Sequence, residues 1–599
     1  MTAALNEGAI PEKEFEVLRP TLSFETIQFS DGTELRLAED DIVVFVGPNN
    51  AGKSAALREL EVWVARSTPG LVIKGATIRK VGTQADLKTY LEAKAQKTGD
   101  SLNLQYGGIG YNIHHTHLSY FDQSSDRHPV APFFAKRLTT ESRLQDSNAA
   151  PAIALFQAPP SHPIHLLLMN PELSKEISDK FRHAFGKDLT PFRAGGSSFP
   201  LYVGNRPELP SGKDELCREF VEALQTSNVM LEKQGDGMRS FAAVVLHVLA
   251  ARTHSIQFLD EPEAFLHPPQ ARLLGRYIAE NRPEIKSQLF ISTHSTDVLD
   301  GLVEGGSDKV RIVRLRREGD VNRVKELDNQ KTKAVAKDTL ARFSRVFDGI
   351  FFEHVVICEA DADCMFYQSI LNLRSISGDR RPDVLFVHTA GKNRMAKLAD
   401  TLRSLDVPVS VIADIDILND EGTFKELFQK LGGDWTAVNT HWKTVSEAVL
   451  KQRPPLNAEQ VASLIADELK GIGGTGEFPE ETERAIKEVF KTVAPWSAMK
   501  KSGRAALPAG EPIKHFDALS RLCSKHGLWI VPVGEIEGFC RSIGSHGPRF
   551  VEKVLEERSL ETDSELKDAR DFIGEIWTKA KPSLAEPEIG QSSVVSTAA

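Results

Sequence analysis

Residues 22–47 (LSFETIQFSDGTELRLAEDDIVVFVG) alternate apolar and polar positions around Ser30-Asp31-Gly32, then run apolar into Gly47. That pattern predicts two strands joined by a turn, followed by a buried strand. Residues 55–65 (AALRELEVWVA) have helical spacing. The stretch to about residue 200 shows little period, apart from a helix predicted after Pro171 in PELSKEISDKFRHAFGKDL. Helical spacing returns over residues 212–232, and Gly235-Asp236-Gly237 opens a long helix through Ala250. Two short apolar runs follow, IQFLD (256–260) and QLFISTHS (288–295). KAVAKDTLARFSRVF (333–347) predicts a linking helix.

From residue 353 the pattern changes. Apolar runs HVVICEA, DVLFVHTAG, PVSVIADID and LWIVPVGEIE recur, with helical stretches between the first three. Strands alternating with helices predict a parallel sheet with right-handed crossovers. The expected fold class is therefore α/β. The expected domains are 1–335 with a helical, dimerising insertion at about 66–230, a linker helix at 336–352, and 353–575 with a helical insertion at about 421–525. Residues 580–599 have the composition of a disordered tail.

Composition adds bounds. The chain has 599 residues, 41% hydrophobic and 26% charged, with a net charge of −10. It is too long for one ordinary core, and it is not coated in basic charge, although a local basic groove remains compatible with that balance. The 5 cysteines form no C-x-x-C pair, which fits a reducing compartment. The N-terminal stretch lacks an apolar signal region and no run is long enough to span a bilayer. The expected location is cytoplasmic, without membrane contact.

The first chemistry lies at GPNNAGKS (47–54), a full match to G-x-x-x-x-G-K-S/T between a strand and a helix. Gly47, Asn49, Asn50, Ala51 and Gly52 would wrap ATP phosphates with backbone N–H groups. Lys53 would reach the β/γ oxygens and Ser54 would ligate Mg²⁺. IQFLDE supplies Asp260 for Mg²⁺ and Glu261 for the attacking water. These residues resemble those of ABC-type ATPases, in the branch that includes RecF and SMC proteins. QGDGMRS (234–240) resembles their signature, with Lys233-Gln234 where Leu-Ser is usual. The resemblance implies that Gly237 and Ser240 face the γ-phosphate of a partner subunit. LDEPEAFLH (259–267) resembles the acidic strand motif, and STHS (292–295) places His294 as the switch histidine. A core or capping role is the competing reading of His294. Arg143 in TTESR is a looser match to an arginine of the same family.

The second chemistry is acidic. Glu359 and Asp363 follow HVVIC, Asp414 and Asp416 follow VSVIA, and Glu535 and Glu537 follow LWIVPVG. In a parallel sheet those strand ends share one edge. Carboxylates converging there need protons or hard divalent cations, Mg²⁺ or Mn²⁺. Asp361 reads instead as a helix cap. The arrangement resembles the TOPRIM domain, whose motif is E-G-x-S/T-D followed by D-x-D. Ala360 and Ala362 depart from it. Gly391-Lys392-Asn393 resembles a segment of the overcoming-lysogenization-defect (OLD) nucleases, which share the ATPase-then-TOPRIM order.

That resemblance implies an ATP-regulated, two-metal DNA endonuclease in bacterial anti-phage defence, akin to Gabija-type nucleases. It would form dimers or higher homo-oligomers through the ATPase, with a possible partner protein from its operon. Glu359 and Asp414 would serve metal-activated water, and the remaining acids a second metal. The resemblance also implies a late basic catalytic residue, Arg549 or Lys553, for which an ordinary exposed helix face is the competing reading. Glu535 and Glu537 stay open as alternatives. The rival function is an ATP-dependent DNA-binding sensor with a non-catalytic TOPRIM module. Lys500-Lys501-Ser-Gly-Arg504 near Trp496 reads as a phosphate-tracking loop or a solvated one. His114-His115-Thr116-His117 lacks metal-spaced partners.

Overall fold

The computed structural model describes residues 17–580, less 156, 252–253, 281–285, 307, 329, 331–345, 374–381, 390, 452–457, 471, 473–477 and 493–494. The chain forms two compact units, Met1–Asn329 and Gln330–Ala599. Of the disordered tail expected at 580–599, Ala580 ends the helix Lys567–Ala580 and the rest lies outside the described residues, as does most of the linking helix. Among the described residues, no helix is long and apolar enough to cross a membrane.

In the first unit, the strand Ile42–Val46 sits inside a six-stranded sheet. Its parallel neighbours are Gln288–Ser292 and Val310–Glu318; beyond Gln288–Ser292 come Ile256–Asp260 and Ala135–Leu138, also parallel. Val321–Glu326 closes the far edge antiparallel. Ile42–Val46 is buried throughout, as expected for a strand covered on both faces. A second, antiparallel sheet (Glu34–Arg36, Thr21–Phe29, Ile73–Val81) contributes to the same hydrophobic core. The Gln288 amide ties the sheets: it accepts from Phe24 N (2.7 Å) and donates to Phe24 O (2.8 Å) and Ala38 O (2.7 Å). Phe24, Phe45 and Phe258 pack around Phe290.

The expected helical insertion at 66–230 is corrected. Ile73–Val81 belongs to the antiparallel sheet and Ala135–Leu138 to the main sheet. Gln96–Thr98, Gln105–Gly108 and Tyr111–His114 form a small sheet of their own. Apart from Ile73–Val81, these strands are only three or four residues long, too short to impose a readable period. The helices Pro171–Phe185 and Arg218–Ser227 are present. The helix expected through Ala250 runs as α over Asp236–Val244 and as π over Val245–Ala251.

The second unit is built on four parallel strands in the order Val384–His388, His354–Cys358, Val409–Ala413, Leu528–Ile530. The first strand in sequence has later strands on both sides, so the order reverses beside it. Crevices at such reversals, outside the strand C-termini, are where ligands bind in open α/β sheets. The described residues of 421–525 form helices and their connecting loops, with no strand among them; the helices include Trp435–Lys451, Pro495–Ser502 and Glu511–Lys525.

Candidate functional sites

The loop after Ile42–Val46 turns at Gly47, whose φ is +137°. A Cβ at Gly47 would overlap the Leu315 carbonyl, so a larger residue cannot make this turn. The helix Lys53–Arg66 starts at once, with Gly52 as its cap. Its N-terminal N–H groups and dipole favour anionic phosphate. Asn49 and Asn50 are exposed and Ala51 is buried. Lys53 is buried and donates to Gly47 O (2.7 Å) and Pro48 O (2.8 Å). Ser54 Oγ donates to Asp260 Oδ1 (2.9 Å), and Ser292 Oγ donates to the same oxygen. The structure thus brings together the P-loop hydroxyl and the acidic strand end, the donor pair that suits Mg²⁺.

Glu261 adopts φ +46°, a left-handed conformation that costs a non-glycine residue about 1–2 kcal/mol. Its backbone is gripped from both sides: Glu261 N donates to Ser292 O (3.0 Å), and Arg143 Nη2 donates to Glu261 O (2.9 Å). The Glu261 carboxylate lies 3.3 Å from His294 Nε2. Burial and the Lys53 charge lower the His294 pKa to about 4, so its ring is neutral at ordinary pH.

Arg143 is fully buried. It also donates to Asp260 O (2.7 Å) and Ser240 Oγ (3.0 Å). Burial lowers its pKa only to about 10, so it stays charged. Ser240 therefore faces its own Arg143, with no exposure. Gly237 remains partly accessible. Sequence reasoning missed Glu263, which accepts from Thr293 Oγ1 (2.9 Å) and His294 N (2.7 Å) and holds the histidine loop. Burial raises its pKa. The signal was present in the third acid of DEPE, after the proline.

In the second unit, Glu359 and Asp414 end neighbouring strands. Oxygens of Glu359, Asp414 and Asp416 lie within 4.8 Å of one another. Asp416 Oδ1 is buried without a hydrogen bond, while Oδ2 lies 3.3 Å from Lys392 Nζ. Burial raises the pKa of Glu359, with Asp416 adding to it. Burial likewise raises that of Asp414, against the pull of Lys500. Burial, then Glu537, raises that of Glu535. A carboxylate trio with an orphaned buried oxygen fits a hard divalent cation.

Asp363 lies beside this trio, but its Oδ2 accepts from Ala360 N (2.9 Å). It caps the helix Asp361–Asn372, the role expected of Asp361 and here corrected. Burial raises Asp363 to about 6. Glu535 and Glu537 form a second cluster with His546, a residue the sequence reading passed over.

Two lysines reach the acids. Arg549 and Lys553 are exposed on Pro548–Glu557, and the lysine ion pairs to the acids come from Lys392 and Lys500. Lys500 Nζ lies 3.2 Å from Asp414 Oδ2 and 3.7 Å from Glu535 Oε2. Burial opposes its charge, but Asp414 and Asp416 outweigh burial and raise its pKa. It is not a solvated-loop lysine, and Trp496 is buried rather than open to a base. Gly534 explains the approach: its φ is +108°, and a Cβ there would overlap the Lys500 carbonyl.

A complete P-loop, a strand-end Asp-Glu pair and a histidine loop on neighbouring parallel strands of one sheet define a P-loop ATPase domain. Residues 42–300 match the family model described as "AAA domain, putative AbiEii toxin, Type IV TA system", so the chain carries an ATPase domain over that span. An uncharacterized protein of Methanocaldococcus jannaschii is 24% identical over 109 residues, covering 18% of this chain and 94% of that protein. Among solved structures, an Smc head bound to the C-terminal winged-helix domain of ScpA is similar at 11% identity. It has a TM-score of 0.32, over 52% of this chain and 99% of that one. The SMC head domain of Thermotoga maritima is similar at 10% identity and a TM-score of 0.27, over 52% and 100%.

Proposed function

We propose that this chain is an ATP-regulated, divalent-metal-dependent DNA endonuclease, its second unit a TOPRIM-type nuclease in the OLD-family order. The observation that carries this reading is the trio Glu359, Asp414 and Asp416 at the reversal point of a parallel sheet. Bound divalent cations would supply charge stabilisation and a nucleophilic water for phosphodiester hydrolysis. Glu359, Asp414 and Asp416 would hold one ion, and Glu535 with Glu537 the other. Lys500 and Lys392 balance the acids and hold Asp414 and Asp416 in place. ATP at Lys53, Ser54 and Asp260 would govern the conformation in which DNA reaches the acids. Pairing of ATPase units into a homodimer is part of this proposal. A role in bacterial anti-phage defence, with a partner protein from the same operon, rests on the OLD resemblance and on the toxin–antitoxin wording of the matched family.

Plasmid nicking tests it. The wild type is expected to nick with Mg²⁺ or Mn²⁺ and to stop with EDTA. Asp414→Ala should lose several orders of magnitude of cutting, given how much charge two metals stabilise, while keeping ATP hydrolysis. Normal cutting by folded Asp414→Ala would falsify the nuclease assignment.

One observation favours a second reading, an ATP-dependent DNA-binding sensor. Asp414 and Asp416 each already have a lysine partner, so the acids can be neutralised without a metal. In that case neither cation would produce nicking, and DNA binding would respond to ATP alone.

A further inference from the structure

The Glu535–Glu537–His546 cluster differs from the acid trio in one chemical respect: it contains an imidazole. Its ligand atoms lie within 4.8 Å of one another. His546 Nδ1 is 3.4 Å from Glu537 Oε1 and 4.0 Å from Glu535 Oε1. Donors bonded at ~2.1 Å to one ion lie roughly 3.0–3.4 Å apart along an octahedral or tetrahedral edge. The observed spacing is thus close to a coordination edge and needs only a small side-chain adjustment. The loop is also pinned in register, because Gly547 N donates to Glu537 Oε1 (2.7 Å). Glu535 splits its oxygens: Oε2 faces Lys500 at 3.7 Å and Oε1 faces His546. The two glutamates are 16% and 15% exposed, and His546 is 77% exposed. A cation would rest on two largely buried carboxylates and meet an imidazole that is open to solvent.

We infer that His546 is a ligand of the second ion and biases that position toward Mn²⁺ over Mg²⁺. The inference rests on the nuclease reading above. Mg²⁺ keeps oxygen ligands and several waters; Mn²⁺ also favours carboxylate and water, but as a first-row transition ion it accepts an imidazole nitrogen more readily than Mg²⁺ does. The acid trio, with oxygen ligands only, carries no such bias. The two positions of one site therefore differ in their choice of metal, and His546 sets the difference.

The test is Mn²⁺ and Mg²⁺ binding to the full chain without nucleotide, read by Mn²⁺ electron paramagnetic resonance and by Mg²⁺ competition. Glu535→Gln is the reference for loss of the position. Wild type is expected to bind Mn²⁺ more tightly than Mg²⁺ there. His546→Ala should weaken Mn²⁺ about tenfold or more, since even partners outside the ligand shell are worth 10–100-fold. His546→Asp should retain the ion but lose most of the Mn²⁺ preference, because all donors are then oxygen. Equal Mn²⁺ affinity in wild type and His546→Ala overturns the inference and leaves the nuclease reading standing. An unchanged Mn²⁺/Mg²⁺ ratio in His546→Asp overturns the bias. No Mn²⁺ bound by the wild type, at either cluster, removes the metal-site reading itself.

Discussion

The Arg143 guanidinium spans the acidic strand end and the helix Asp236–Val244 in one side chain, donating to Asp260 O, Glu261 O and Ser240 Oγ. A lysine would keep the charge but lose the planar fork. Arg143→Lys is therefore expected to slow ATP turnover at least about tenfold, with nucleotide affinity within about threefold. The contrast is read by steady-state hydrolysis beside equilibrium binding, and equal losses in both would mean that the side chain only supports the fold. A second residue sets a pH response. Burial lowers His354 to about 4 in the folded chain, against an ordinary value near 6.5. Its neutral form is the folded form, so the stability is intact above pH 6.5 and is lost as pH falls toward 4. The loss should approach about 3 kcal/mol below that pH. His354→Asn should flatten this acid limb in urea titrations of the second unit. At this scale, motif residues were the legible ones: Lys53, Ser54, Asp260, Glu359, Asp414 and Asp416 all stand where their spacing predicts. Ser240 and Lys500 were not legible in these contacts, because Arg143 and Asp414 are far away in sequence; His546 lies close in sequence to Glu535 and Glu537, but no motif or local period marks the loop that brings it to them.

Elements repeat that division. Strands with long apolar runs were readable, because burial on both faces leaves a continuous signal. The short strands between residues 73 and 230 were not, because two to four residues carry no period. The helical insertion of the second unit was legible as helices, but its chemistry was not. That chemistry depends on Gly534, which lets the helix Pro495–Ser502 come down onto the strand-end loop. Gly534→Val puts a β-branched side chain at φ +108° and into the Lys500 carbonyl. It should destabilise the second unit by about 2 kcal/mol or more, seen as a lower melting temperature with the first unit's transition unmoved.

At the scale of the whole molecule, each unit carries its own core and its own cluster of functional groups. Their chemistries should therefore separate genetically. Lys53→Ala is expected to abolish ATP hydrolysis yet retain Mn²⁺ binding at the acids, whereas Asp414→Ala should keep ATP hydrolysis and lose the ion held by Glu359, Asp414 and Asp416. Loss of both properties in either variant would mean the units do not work as separable machines. The buried Ser240 also redirects any test of subunit sharing: Gly237 is the accessible position to alter in mixed-subunit experiments.

The reach of Lys500 into the acids has a practical consequence for anyone trimming this chain to a smaller enzyme. The helices after Glu421 look like a removable decoration between two strands, the kind of segment a designer would replace with a short linker. Yet this excursion returns the ammonium group that sits between Asp414 and Glu535. A shortened version would keep every strand and every carboxylate and still lose a counter-charge. Any miniature must retain residues 495–534 or graft a cation in their place.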